Sequence, residues 1–207
     1  MASGVRAEPS APGPLAAAEI RFQGNAGLST AALREAAAAE LADFEQRGQR
    51  RSDIDDAAFE MELAYHREGF IFARVDYAIE QAGGITTVTF HVTEGPQVLV
   101  REIRISGNEA IDLETLKAFF RPETSGLLPQ VRRPFVRSEM ESAAEALRDY
   151  YRSRGFLDAA IAGPDYSFAE DRSRVDVSVR VHEGIQHRVQ VLEVAGDVPA
   201  DARKEVE

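Results

Sequence analysis

An apolar stripe at helical spacing occurs twice along the chain. Its members lie three or four residues apart, as one buried face of an α-helix requires. They are Ile54, Ala58, Met61 and Tyr65 in the first copy, and Val136, Met140, Ala144, Leu147 and Tyr151 in the second. Candidate N-caps of the two predicted helices are Ser52 or Asp53 for the first and Ser138 for the second.

Both predicted helices end in a sequence of the form Tyr-x-x-x-Gly-Phe. Gly69 and Gly155 occupy the C′ position, where glycine commonly ends a helix. Phe70 and Phe156 come next, and we expect each ring to fold back over the last helical turn. The sequence therefore predicts the same helix terminus at two places in the chain.

Beyond each Gly-Phe the hydrophobic period changes to two. Such alternation predicts β-hairpins with one face packed against helices and the other face polar. The apolar positions are Ala73, Val75, Tyr77, Ile79, Val88, Phe90 and Val92 in the first copy, and Val175, Val177, Val179 and Val181 in the second. The glycine-rich stretch at 82–84 predicts the turn of the first hairpin.

A short strand and a helical segment precede each long helix. The strands end at Gly24 and Gly107, where glycine permits a backbone turn that a residue with a Cβ atom resists. The helical segments cover about 30–46 and about 112–120, with Ser29 and Asp112 as their N-caps. Each unit therefore has the order β-α-α-β-β.

This repeat divides the chain into consecutive units. We predict a flexible leader at 1–17, unit one at 18–96, unit two at 97–186 and the truncated start of a third unit at 187–207. A Glu-Gly pair closes each complete unit. The residues expected at the joints between units are Glu94, Gly95, Pro96, Gln97, Glu183 and Gly184, with Pro96 restricting the angle between units one and two.

Composition narrows the range of functions. The formal net charge of −11 disfavours a nucleic-acid partner, and the absence of Cys excludes disulfides and thiol catalysis. The four His are scattered and no catalytic motif is present, so we expect no enzyme activity, no cofactor and no metal site. The clustered arginines are interpreted as solvated loop residues: Arg47, Arg50 and Arg51, then Arg132, Arg133 and Arg137.

The chain resembles tandem POTRA domains in four features taken together. These are the order of elements, the strands ending in Gly-Asn, the Tyr-x-x-x-Gly-Phe helix ends and the closing Glu-Gly pairs. These polypeptide-transport-associated repeats precede the β-barrel in outer-membrane assembly proteins of the BamA/TamA type. The resemblance covers about 18–196. It implies an α+β fold of tandem β-α-α-β-β units, each a three-stranded mixed sheet with two helices on one face.

The resemblance also implies a location and partners. The module would lie in the periplasm, attached to the outer membrane through a barrel that this chain does not contain. Its partners would be unfolded outer-membrane proteins or secreted polypeptides, accessory periplasmic lipoproteins and the C-terminal β-barrel of the full-length protein. Two-partner secretion transporters, protein-import receptors and purely structural scaffolds are alternative uses of the same module.

The strand after each Gly-Phe is the expected sheet edge, where an extended client can pair by β-augmentation. In unit one the candidate edge residues are Arg74, Val75, Asp76, Tyr77, Ala78 and Ile79, with no proline among them. Unit two carries Gly163 and Pro164 in this strand, and proline cannot donate a main-chain hydrogen bond. We therefore expect unit one to offer the better edge. The alternative interpretation is that the charges of Arg74, Asp76 and Glu80 prevent pairing there.

Overall fold

Two copies of one small α+β unit follow each other in the chain. The computed structural model describes residues 17–121 and 133–190. Unit one contains β1 (Ala17–Gln23), α1 (Thr30–Ala36), α2 (Ala38–Gln46), α3 (Arg51–Arg67), β2 (Arg74–Ala82) and β3 (Ile85–Thr93). Unit two contains β4 (Leu99–Ser106), α4 (Leu113–Ala118), α5 (Arg137–Ser153), β5 (Ala160–Phe168) and β6 (Arg174–His182).

Each unit builds a three-stranded mixed sheet whose last strand lies in the centre. The strand order is β1-β3-β2 in unit one and β4-β6-β5 in unit two. The first strand of each unit pairs in parallel with the central strand, and the hairpin pairs antiparallel. This arrangement confirms the predicted fold and leaves the strand after each Gly-Phe at an edge.

The helices cover one face of each sheet, because the apolar positions of the strands alternate as the sequence predicted. In unit one, Val88, Phe90 and Val92 of β3 pack with Ile54 and Met61 of α3 in one buried cluster. A second cluster in unit two contains the four alternating valines of β6 together with Met140, Ala144, Leu147 and Tyr151 of α5. Each unit therefore has its own hydrophobic core.

Both long helices end in the predicted way. The N–H of Gly69 donates to the carbonyl of His66, and the N–H of Phe70 donates to the carbonyl of Tyr65. These two bonds form a Schellman motif, and the Phe70 ring packs edge-on against Tyr65 with a centroid separation of 5.8 Å. Unit two repeats the motif with Tyr151 and Phe156, whose ring centroids are 5.7 Å apart.

The segment predicted as one helix at 30–46 is two helices, which is a correction. The helix breaks at the fully buried Ala37, between α1 and α2. Leu33 on α1 and both Leu41 and Phe44 on α2 then reach the same core. An alanine-rich run has high helix propensity throughout, so propensity alone could not locate a break that tertiary packing imposes.

Two other local predictions are wrong. The N-cap positions of α3 and α5 are Arg50 and Val136, neither with a side-chain cap bond, whereas Ser29 and Asp112 do cap their helices. Asp53 instead lies inside α3, where Arg50 Nη2 donates to its Oδ1 at 3.0 Å. The arginines are also not simply solvated loop residues: Arg51 and Arg137 begin helices and Arg133 is mostly buried, while Arg132 lies outside the described residues.

Gly24 shows why a glycine ends β1. Its φ is +86°, and a Cβ atom at this position would lie 2.2 Å from the carbonyl oxygen of Val92. Gly107 has the same surroundings in unit two, with φ +83° and a Cβ position 2.1 Å from the carbonyl oxygen of Val181. The chain can therefore leave the sheet beside the central strand only if this residue lacks a side chain.

The substitution Gly24→Ala should lower the free energy of unfolding of unit one by about 3 kcal/mol, since both the backbone angle and the contact with Val92 oppose a Cβ atom. Chemical denaturation measures the change. The matched control is Gly48→Ala, because Gly48 has φ +93° and open space around its Cβ position. We expect about 1 kcal/mol from that control; equal losses in the two variants would show that the close approach to Val92 contributes nothing.

Candidate functional site

The strand β2 is the candidate site, and it lies at the open side of the sheet of unit one. It pairs on one side with β3, in a register that places Val75 opposite Val92 and Tyr77 opposite Phe90. Val75 is buried and Tyr77 half-buried on the helix-facing side, whereas Arg74, Asp76 and Ala78 are exposed on the other side. Ile79 is 37% exposed. The six predicted edge residues are thus consecutive residues of one edge strand.

One hydrogen bond shows which backbone groups of β2 face outwards. The N–H of Val75 donates to Oε1 of Glu62 on α3 at 2.9 Å, so this N–H points away from β3. Outward and inward residues alternate along an antiparallel edge strand. It follows that Tyr77, Ile79 and Gln81 also direct their N–H and C=O groups outwards, where an added strand would meet them.

A groove runs beside this edge, between α3 and β2. Its volume is about 380 Å³. Phe59 forms part of its floor and is 57% exposed, although it is a large apolar side chain. The lining residues are Arg51, Asp55, Ala58, Phe59, Glu62, Val75, Asp76 and Tyr77. The groove therefore places one exposed aromatic ring, that of Phe59, among mostly polar and charged side chains, directly beside the outward-facing main-chain groups of Tyr77.

The position of the Tyr77 ring in this groove is fixed by two side chains of α3. The Tyr77 hydroxyl donates to Oδ1 of Asp55 at 2.5 Å and accepts from Nε of Arg51 at 2.9 Å. Burial, and to a smaller extent the hydrogen bond to Asp55, raises the pKa of the Tyr77 hydroxyl above its ordinary value. The hydroxyl therefore stays protonated and keeps donating to Asp55. No repeat or motif in the sequence pointed to the four groove residues of α3, which lie three or four residues apart along one face of the helix: Arg51, Asp55, Phe59 and Glu62.

Unit two has different residues at the corresponding positions. α3 and α5 are both 17 residues long and end in the same way, so Phe59 corresponds to Glu145 and Glu62 to Arg148. The strand β5 pairs irregularly with β6, with a register shift between Ala162 and Asp165 that spans Gly163 and Pro164. The predicted interruption of this edge is therefore present, and unit two has a carboxylate at the position where unit one has the exposed Phe59 ring.

The recurring Glu-Gly pairs lie at hydrogen-bond centres within the units. Oε1 of Glu94 accepts from the N–H groups of Ala26 and Gly27 at 2.6 and 2.7 Å, and from the Tyr65 hydroxyl at 2.8 Å. Glu183 in the same way accepts from the N–H of Ala110 at 2.9 Å and from the Tyr151 hydroxyl at 2.9 Å. Each glutamate thus connects the end of the central strand, the loop after the first strand and the end of the long helix.

Hydrogen bonding decides the ionisation of this centre in unit one. Burial would raise the pKa of the Glu94 carboxyl, but the hydrogen bonds from Tyr65 and from the backbone of Gly27 and Ala26 outweigh it and hold that pKa below its ordinary value. Burial and the neighbouring Glu94 raise the pKa of Tyr65. The pair is therefore a carboxylate and a neutral hydroxyl near neutral pH, as the observed bond requires.

The joint between the two units begins directly after this centre. The amide of Gln97 donates to the carbonyl of Glu68 at 2.8 Å, and the N–H of Val98 donates to the carbonyl of Gly69 at 2.9 Å. Val98 is fully buried, and its carbonyl accepts from the N–H of Phe135 in unit two at 2.8 Å. The segment after Pro96 therefore bonds to the helix end of unit one and to unit two at once.

Aromatic packing adds to this joint. Phe72, in the loop that leads into β2, packs against the core cluster of unit two. Its ring centroid lies 5.5 Å from that of Phe168, and the guanidinium carbon of Arg172 lies 4.9 Å from the Phe72 ring centroid. The loop at the start of the candidate edge is therefore held by the neighbouring unit.

Comparison with known families gives one match to each unit. The family model described as POTRA, surface antigen variable number repeat, matches residues 17–95 and again residues 98–184. Among the described residues, no helix combines the length and apolar character needed to cross a membrane. The predicted third unit at 187–207 and the leader at 1–17 lie almost entirely outside the described residues.

Two curated proteins are similar in sequence. A candidate outer membrane protein assembly factor of Treponema pallidum is 26% identical over 137 residues, which are 64% of this chain and 16% of that protein. The outer membrane protein assembly factor BamA of Nitratidesulfovibrio vulgaris is 23% identical over 138 residues, covering 65% of this chain and 17% of the relative. The chain thus matches about a sixth of the length of these relatives.

Solved structures support the fold. The crystal structure of POTRA domains 3–5 of Haemophilus influenzae BamA covers 92% of this chain with a TM-score of 0.50 and 19% identity, over 75% of its own length. BamA from Haemophilus ducreyi lacking POTRA domains 1–3 gives a TM-score of 0.50 and 19% identity, over 80% of this chain and 29% of its own. Consecutive units of this fold therefore occur in solved structures.

The substitution Glu94→Gln should lower the free energy of unfolding of unit one by about 1 kcal/mol near neutral pH, because a charged acceptor with three donors becomes a neutral one. The depressed pKa of Glu94 stabilises the fold above the carboxyl's unfolded pKa, and this stabilisation is lost as the pH falls through the folded value. The difference between wild type and variant should therefore shrink on acidification.

Urea denaturation over a series of pH values measures this difference. Glu45→Gln is the matched control, since Glu45 is an exposed carboxylate of the same unit. A gap between wild type and Glu94→Gln that stays constant from neutral pH down to acidic pH would contradict the role given to the Glu94 charge.

Proposed function

Because the chain belongs to the POTRA family, we propose that it is the periplasmic polypeptide-binding module of an outer-membrane β-barrel assembly or translocation protein. It acts without catalysis or cofactor, by holding unfolded outer-membrane proteins or secreted polypeptides in extended form. The barrel to which it delivers them follows in the full-length protein. Accessory periplasmic lipoproteins dock on the same module.

The observation that carries this proposal is the combination of edge and groove in unit one. Tyr77, Ile79 and Gln81 turn their main-chain groups outwards, and the exposed Phe59 lines the groove together with Tyr77. A client strand can add to β2 through main-chain bonds that do not depend on its sequence. A client side chain beside Tyr77 then faces the groove, where an apolar residue can contact the ring of Phe59.

The expected affinity of a client strand for β2 is low, as transient binding requires. About four new main-chain bonds at roughly 1 kcal/mol each contribute about 4 kcal/mol before the entropic cost of association is subtracted, so these bonds alone give a dissociation constant no tighter than about 1 mM. Contact of one client side chain with Phe59 adds about 1 kcal/mol of apolar burial. A client held this weakly is released quickly, as passage towards a barrel requires.

Unit two contributes less to client binding than unit one does. Its edge is interrupted at Gly163 and Pro164, and Glu145 occupies the helix position that corresponds to Phe59. The bonds of Gln97 and Val98 and the packing of Phe72 against Phe168 fix unit two beside the start of β2. We assign it the role of orienting the binding edge, with the joint residues 94–97 and 183–184 as connectors.

The substitution Ile79→Pro should weaken client binding, because it removes one outward N–H donor from the centre of the edge while the inward pairing of β2 with β3 remains. The probe is a synthetic peptide of about ten residues that copies one amphipathic strand of an outer-membrane β-barrel. Its affinity for the chain is measured by titration in NMR, with an expected loss of at least about tenfold.

Ile79→Ala is the control, since it shortens the side chain but keeps the N–H and should bind like wild type. Phe59→Glu tests the groove separately by copying Glu145 of unit two, and we expect it to weaken binding about fivefold. If Ile79→Pro folds and binds the peptide as wild type does, main-chain pairing at β2 is excluded and the module is a scaffold.

A further inference from the structure

We propose that Glu62 and Arg74 close the first part of the binding edge, so that a client strand can pair with β2 only from Tyr77 onwards. This inference rests on the proposed function and names the residues that set the register of the client. Glu62 belongs to α3 and Arg74 is the first residue of β2.

Both side chains bond to main-chain groups that an added strand would need. Oε1 of Glu62 accepts the N–H of Val75 at 2.9 Å, and Nη1 of Arg74 donates to the carbonyl of Ala73 at 2.9 Å. Nη1 of Arg74 also lies 3.8 Å from Oε2 of Glu62. The two side chains thus form one connected cap over the Ala73–Val75 end of the edge.

The Glu62 contact is costly to displace. The Glu62 side chain is only 22% exposed, and its bond to the N–H of Val75 is charge-assisted. A client that took this N–H would leave a largely buried carboxylate without its backbone partner, which costs more than one ordinary main-chain bond returns. Pairing that begins at Tyr77 avoids this loss and still uses Ile79 and Gln81.

The cap belongs to unit one alone among the described residues. Arg148 occupies the position of Glu62 in α5, and Ala160 the position of Arg74 at the start of β5. A guanidinium has no acceptor atom, so Arg148 cannot bond to the N–H of Ile161 as Glu62 bonds to that of Val75. The Nε of Arg148 is instead buried without a hydrogen-bond partner.

The register also decides which client side chain meets the groove. Pairing from Tyr77 places the client beside the end of the groove that Tyr77 and Phe59 line, next to the Arg51–Tyr77–Asp55 hydrogen bonds. Without the cap, the client could shift by two residues along β2 and keep the same face towards α3. Glu62 therefore selects one of the registers that the alternation of β2 allows.

Amide exchange at single residues, with and without the β-barrel strand peptide, tests the cap. In the wild-type chain we expect added peptide to slow exchange at Tyr77, Ile79 and Gln81 and to leave Val75 unchanged. In Glu62→Ala, Val75 of the free chain should exchange about tenfold faster than in wild type and should then gain protection when peptide is added. Glu62→Gln keeps an acceptor oxygen and should preserve the wild-type pattern, and Arg148→Ala is the control in unit two.

The outcomes separate this inference from the proposed function. If peptide protects Tyr77, Ile79 and Gln81 but Val75 behaves alike in wild type and Glu62→Ala, the cap is refuted and the binding edge stands. If wild-type Val75 is itself protected by peptide, the cap is likewise refuted. If peptide protects no residue of β2 in any variant, the binding edge and the cap both fail.

Discussion

In each unit, a hydrogen bond between a glutamate at the end of the central strand and a tyrosine at the end of the long helix connects these two elements. Glu94 and Tyr65 make it in unit one, and Glu183 and Tyr151 in unit two. The same carboxylates accept N–H groups from the loops after β1 and β4. Because three segments meet at one carboxylate beside the central strand, the position of that strand is fixed, and the strand after Gly-Phe remains outermost.

The two units share one fold but differ in their edge strands. Unit one places Phe59, Glu62 and Tyr77 around a groove, whereas unit two has Glu145 and Arg148 on the matching helix and a strand interrupted at Gly163–Pro164. The buried Val98 and the packing of Phe72 on Phe168 join the units at the start of β2. The two units thus differ in the residues along one helix face and in the continuity of the edge strand.

The repeated patterns predicted most of the fold because they record local constraints. Period and turn residues located the sheets, and the Tyr65–Phe70 and Tyr151–Phe156 helix ends form as expected. The break at Ala37 was not predictable from an alanine-rich run, since only packing favours it. The edge residues followed from alternation, but Glu62 and Phe59 did not, because their roles depend on the distance between α3 and β2 and not on any repeat.

The central claim is that passing chains pair with the main chain of β2 in unit one. Intermolecular nuclear Overhauser effects between the α-protons of a β-barrel strand peptide and the amide protons of this chain test it most directly. We expect contacts from the peptide backbone to the amides of Tyr77 and Ile79, in a ladder that alternates along β2. Contacts confined to β5, or to helix side chains without any backbone ladder, would contradict it.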